Sequence, residues 1–147
     1  MLVESLAIPD VKLITPKRFA DSRGYFEQTY QRQQYHDAGI VADFVQDNHS
    51  RSVRGVLRGL HYQHRHPQAK LVSVSLGSVY DVAVDLRQGS PTFGRAVGAE
   101  LSAYQVSQLF VQLFFAPGFF LLSYTLYFCD KCDDYSSPGD YYGLRLS

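Results

Sequence analysis

An all-β sandwich or barrel is the fold class this sequence predicts, and three observations carry it. From Lys70 to Arg87, large apolar residues alternate with smaller or polar ones along two successive arms, the period-2 signature of strands. Turn signals recur about every eight to twelve residues, the spacing of a sandwich or barrel. Only Gln31 to Ala38 reads as a convincing helix, so a parallel βαβ arrangement lacks its crossover helices.

Each element follows in order. A short strand lies near Val11 to Ile14, between Pro9 and Pro16. Asp21-Ser-Arg-Gly24 is a turn feeding a strand from Tyr25 to Tyr30, and Gly39 stops the helix that comes next. Phe44 to Ser50 is short, polar and rich in amides for a strand. In the second arm of the Lys70–Arg87 segment, Tyr80, Val82, Val84 and Leu86 alternate with Asp81, Ala83 and Asp85, and Gly77-Ser78 joins the two arms as a hairpin. Gln88 to Pro91 turns the chain again. Strands near Phe93–Leu101, Gln108–Phe115 and Phe119–Phe128 complete the set. Ser136 to Asp140 reads as loop, and nothing after it looks like a final strand or closing helix. The aromatic run from Phe110 to Phe120 must be buried, in the core or in a dimer contact, because left open it would aggregate.

Composition narrows the function. The 147 residues fit one domain with enough apolar content for a core. Fourteen basic residues balance fourteen acidic ones, so no global field favours nucleic acid or a membrane. An anionic ligand must therefore be held by a local cluster. No apolar run is long enough to span a bilayer, and the first residues lack the basic-then-apolar order of a signal peptide, so the cytoplasm is the expected location. Cys129 and Cys132 form a C-x-x-C with no second pair to complete a zinc site and an acidic flank at Asp133-Asp134. They read as reduced thiols.

The chemistry concentrates in Gly55 to Lys70. These sixteen residues hold Arg58 and Arg65, His61, His64 and His66, and Lys70. In a regular strand Arg58 and His61 would face opposite ways. Gly59 permits the bulge that turns both to one site. An imidazole base, a fixed guanidinium and a mobile ammonium suit proton abstraction from an anionic substrate.

Six motifs in order carry a resemblance: Asp21-x-Arg-Gly24, Gln46-Asp-Asn48, Val56-Leu-Arg-Gly-Leu-His-Tyr-Gln63, Lys70-Leu-Val72, Asp81-Val-Ala-Val-Asp-Leu-Arg87 and Ser90-Pro-Thr-Phe-Gly94. Together they resemble the dTDP-4-dehydrorhamnose 3,5-epimerase family, densely from about residue 7 to residue 110 and more weakly through Lys131 to Pro138. The resemblance implies a cupin-type double-stranded β-helix, a jelly-roll barrel with one or two short helices, in a single domain spanning 1–147 that stops short of the family's C-terminal segment. It implies a homodimer with neither metal nor cofactor. The implied substrate is dTDP-4-dehydro-6-deoxy-glucose, whose C3 and C5 protons flank a C4 ketone, for dTDP-rhamnose biosynthesis. By motif match the base is His61 and the lysine beside the developing enolate is Lys70. Nucleotide and diphosphate contacts fall on Arg23, Gln46, Asn48 and Arg58.

The resemblance also breaks at defined places. A family histidine is Pro117 here. The family tyrosine that donates a proton on the opposite ring face is Asp130. A glutamate after the first Arg-Gly becomes Gln28, with Glu27 beside it, and a later ligand glutamate becomes Tyr141. The aspartate that orients the base belongs to the C-terminal segment. Two functions follow as expectations: an epimerase with an altered acid side, or a homologue that binds a nucleotide sugar without turning it over. Asp81 and Asp85 either face solvent on an edge strand, or Asp81 supplies the missing partner of His61. His64 and His66 form an H-x-H pair with no carboxylate at the following ligand position, so they read as exposed loop residues.

Overall fold

The computed structural model describes residues 1–144; Arg145, Leu146 and Ser147, at the end of the segment read above as loop, lie outside the described residues. A hairpin of β1 (Leu2–Ser5) and β2 (Lys12–Thr15) opens the chain. β3 (Arg18–Asp21) and β4 (Gly24–Glu27) pair only with each other, as a ribbon with Ser22 and Arg23 at its tip. Helix α1 (Arg32–Asp37) begins where the Gln31 side chain accepts from the Gln34 N–H at 2.5 Å, and it ends at Gly39 with φ +86°. Its one buried side chain is Tyr35, whose O–H donates to Gln108 at 2.7 Å and ties the helix to the sheet.

The remaining strands are β5 (Gln46–Val53), β6 (Leu57–Arg58), β7 (His61–Gln63), β8 (Lys70–Leu76), β9 (Ser78–Asp85), β10 (Ala96–Ser102), β11 (Gln108–Val111), β12 (Phe115–Leu121), β13 (Thr125–Cys132) and β14 (Tyr141–Gly143). They form a six-stranded sheet in the order β1-β2-β11-β8-β13-β5, a four-stranded sheet in the order β10-β9-β12-β6, and a β7–β14 ribbon. All pairings are antiparallel. The two larger sheets face each other across one core, the jelly roll expected from the resemblance, with both sheets left open at their edges. Val72, Val74, Leu109, Leu126 and Phe128 of the larger sheet meet Val79, Ala83, Leu101, Phe115 and Phe119 of the smaller. The rings of Phe119 and Phe128 stack at 4.3 Å and join the layers. A second cluster of Ile14, Tyr35, Ile40, Leu71 and Phe110 packs on the outer face of the larger sheet.

The hairpin expected at Lys70–Arg87 is not formed. β8 and β9 are separated by Gly77 alone, yet β8 lies between β11 and β13 while β9 lies between β10 and β12. The chain crosses from one sheet to the other at Gly77, where φ is +86° and an added Cβ would collide with the Thr125 carbonyl. Alternation reports which side of a strand is buried. It does not report which sheet the strand joins, and two arms on opposite sheets show the same pattern around a shared core.

Other boundaries also move. The stretch read as Gln108–Phe115 is interrupted at Phe114, a turn residue with φ +63°, and Phe119–Phe128 straddles a turn at Leu122–Tyr124 that carries neither glycine nor proline. The tail is not all loop, because β14 pairs with β7. Asp81 and Asp85 are buried, at 1% and 0% exposure, so the solvent-facing reading of both is overturned. β9 is central, and its odd-numbered side chains point into the core. Asp85 accepts from the Arg87 backbone N–H and guanidinium, Ser90 and Thr92, which hold its carboxyl far below the usual range. Arg87 also reaches Asp10 at 2.8 Å.

Candidate active site

A cavity of about 270 Å³ opens between the two sheets where β6 gives way to β7. The geometry begins at Gly59. Arg58 still belongs to the smaller sheet, opposite Phe119, whereas His61 has left it and lies opposite Gly143 of β14. Gly59 makes the break, with φ +117°, and the Gly118 backbone packs directly against it. Arg58 and His61 thereby line one cavity, brought there by a change of sheet at Gly59 and not by the expected bulge within one strand.

The larger sheet supplies the opposite wall. Lys70 opens β8 and faces Cys132 of β13. Its Nζ donates to Asp130 Oδ2 at 3.2 Å. The same oxygen accepts from Asn48 Nδ2 and from Cys132 Sγ, each at 3.3 Å. Three donors on one oxygen make Asp130 an acceptor that holds Lys70 in place. Burial pulls the Lys70 ammonium down, but the Asp130 charge and its other neighbours outweigh that and leave it above the ordinary lysine value. Burial pushes the Cys132 thiol up to about 12. Cys129 and Cys132 are both free, and three positions apart on a strand they point to opposite faces.

Asp81 forms part of the floor. Burial pushes its carboxyl up to about 8, and the Val82 backbone N–H and then the Lys70 charge offset this only partly. Its Oδ2 has no hydrogen-bond partner among the described residues. The group is therefore neutral at pH 7. In the unfolded chain it ionises near 3.8. Between these values the folded state keeps a proton that the unfolded state has released, so the stabilisation is complete below 3.8 and is lost as pH rises through about 8. Asp81→Asn should flatten this slope. Urea melts of the two proteins between pH 4 and pH 8.5 should show the variant's relative stability growing with pH, and parallel curves would refute the neutral carboxyl.

The sequence-derived residues divide into two groups. His61, Lys70, Asp130, Asn48 and Arg58 line the cavity. Arg23, Gln28 and Gln46 do not. Arg23 sits on the ribbon tip, 88% exposed and paired with Asp21 at 2.6 Å. Gln28 is exposed just beyond β4. Gln46 spends its amide on Asn48 and on Ser136, with contacts of 2.8 to 2.9 Å. Among the described residues no side chain hydrogen-bonds the His61 ring, Asp81 included, and no cluster of three or more His, Cys, Asp or Glu is placed to hold a metal ion. Tyr141 lines the cavity too. Sequence reasoning noted it only as a departure, because no local signal shows that the tail folds back over β7.

The fold is a jelly roll whose cavity gathers an imidazole, an ammonium and a guanidinium, the equipment of a proton-transfer enzyme acting on an anionic substrate, and comparison with known proteins makes the assignment specific. The family model for dTDP-4-dehydrorhamnose 3,5-epimerase matches residues 5–147. A dTDP-4-dehydrorhamnose 3,5-epimerase from Pseudomonas aeruginosa is 52% identical over 139 residues, covering 94% of this chain and 77% of that protein. The crystal structure of a dTDP-6-deoxy-D-glucose-3,5-epimerase from Legionella pneumophila in complex with dTDP-4-keto-L-rhamnose superposes with a TM-score of 0.95 at 46% identity, covering 97% of this chain and 77% of that one. A 3'-monoepimerase from Streptomyces bikiniensis, in complex with dTDP-quinovose, gives a TM-score of 0.87 at 27% identity, covering 95% and 72%. The chain belongs to the dTDP-4-dehydrorhamnose 3,5-epimerase family.

Proposed function

We propose that this chain epimerises dTDP-4-dehydro-6-deoxy-glucose by proton transfer beside the C4 ketone, in the pathway to dTDP-rhamnose. The observation that carries the reading is the convergence of His61, Lys70 and Arg58 on one cavity. His61 removes a proton from C3 or C5. The ketone makes those protons acidic, and the Lys70 ammonium, held by Asp130, stabilises the enolate oxygen. Arg58 and Asn48 contact the diphosphate and nucleotide, with Gln46 fixing the Asn48 amide. The ketone supplies the acidity, so no metal or organic cofactor enters the scheme.

Arg23 and Gln28 serve the site from a second copy in a homodimer. Two features support this. The β3–β4 ribbon carries them outside its own chain's cavity, and it exposes Phe19, Tyr25 and Phe26, at 51%, 61% and 68%. Two free cysteines fit a reducing cytoplasm.

The test is proton NMR of the keto sugar in deuterated water, following C3 and C5 separately. Loss of both signals with appearance of the inverted sugar is expected, and loss at one carbon alone would make the protein a monoepimerase. The acceptor role of Asp130 favours one competing reading, a protein that binds without turnover. Saturable dTDP binding with no exchange at either carbon would establish that reading instead.

A further inference from the structure

We propose that Tyr141 is the acid that delivers a proton to the sugar carbon on the face opposite His61, an inference that rests on the epimerase reading above. Inversion at carbon requires a base on one face of the ring and a donor on the other. Asp130 is not that donor, since its Oδ2 already accepts three hydrogen bonds. Asp81 carries a proton, but its side chain is 1% exposed in the floor, where proton exchange with water is poorest. Tyr62 stacks on Tyr142, ring centroids 5.8 Å apart, on one face of the β7–β14 ribbon.

The other face of that ribbon has the right groups. Register places His61 opposite Gly143 and Gln63 opposite Tyr141, and the period of 2 puts all four on one side. His61 and Tyr141 are therefore diagonal neighbours, about 7–8 Å apart. Gly143 has no side chain to fill the position facing His61. The His61 ring packs directly over it, within 3.5 Å of where a Cβ would stand. The base and the phenol thus rise from one ribbon face into the same cavity. Tyr141 also lies within electrostatic reach of Lys70, so a transient tyrosinate has a counter-charge beside it.

The step balances without a further reactant. His61 takes the C–H proton, and the electron pair becomes the enolate held by Lys70. The Tyr141 O–H then gives its proton to the same carbon from the other side. Tyr141 is 45% exposed and recovers a proton from water, and His61, also exposed, releases one.

Tyr141→Phe separates donation from abstraction. In deuterated water the variant should lose about 10²–10⁴-fold in formation of the inverted sugar. It should keep deuterium exchange with retention, because His61 can return a deuteron to the face it serves. Binding of dTDP and the thermal melt should match the parent. Inversion at the parent rate in Tyr141→Phe, or equal loss of exchange and inversion, overturns the proposal. So does loss of inversion in Asp81→Asn while Tyr141→Phe inverts normally, which would make Asp81 the donor. A parent protein that exchanges nothing overturns the epimerase reading and this inference together, whereas an exchanging parent with an inverting Tyr141→Phe overturns this inference alone.

Discussion

His61→Asn should abolish proton exchange at both C3 and C5, a loss of at least about 10²–10⁴-fold, while dTDP still binds. Asparagine keeps a polar group of similar reach and removes the base. The side chain is exposed, and among the described residues none hydrogen-bonds its ring, so the variant should melt within about 0.5 kcal/mol of the parent. That separation of activity from stability is what makes the substitution informative. Isotope exchange by NMR and a urea melt on the same preparation measure both. Exchange continuing at the parent rate would assign the base to another group and remove the centre of the proposed mechanism.

Gly59→Ala should damage stability and activity together. Its φ of +117° lies where side chains are rarely accommodated, and an added Cβ would press on the Gly118 Cα and stand 2.9 Å from the Pro117 carbonyl oxygen. Both obstacles are backbone of β12, the partner strand of β6, so no side-chain rotation relieves them. Backbone strain and overpacking together should cost about 2–5 kcal/mol. Gly55→Ala is the control. Gly55 also has positive φ, +87°, but nothing lies within 4 Å of its added Cβ, so only the backbone cost of about 1 kcal/mol remains. Equal urea midpoints for the two variants would show that close approach to β12 is not what demands glycine. Because Gly59 also turns Arg58 and His61 to the same side, residual folded Gly59→Ala should be slow in exchange as well.

The bend at Gly59 could be read in advance because it followed from a conflict. Two residues needed at one site sat on opposite strand faces, with a glycine between them. The convergence of Lys70 and Asn48 with them was also legible, through ordered motifs. The crossing at Gly77 was not, because burial alternates identically whether a strand returns beside its predecessor or joins the facing sheet. The role of Asp130 was hidden for a different reason. Its character is set by Lys70, Asn48 and Cys132, which lie 60, 82 and 2 positions away, and only folding brings the first two to it. Asp81 looked ambiguous because an Asp between Tyr80 and Val82 suits either an edge or a core, and strand order alone decides which. Tyr141 gave no signal, as the three-residue β14 is too short for any periodicity.

The register of the cavity walls has a consequence for how quickly the protein reaches this state. Gln46 pairs with Cys132, Arg58 with Phe119 and His61 with Gly143, so each wall joins residues more than sixty positions apart. Pairings this distant must close long loops before any contact rewards them, and all-β chains of this kind fold in roughly milliseconds to seconds. A chain emerging from the ribosome has most of its core strands available early, but the proposed site has no walls until β13 and then β14 arrive. The base-bearing strand β7 stays unpaired until β14, the last of the described strands, has been made.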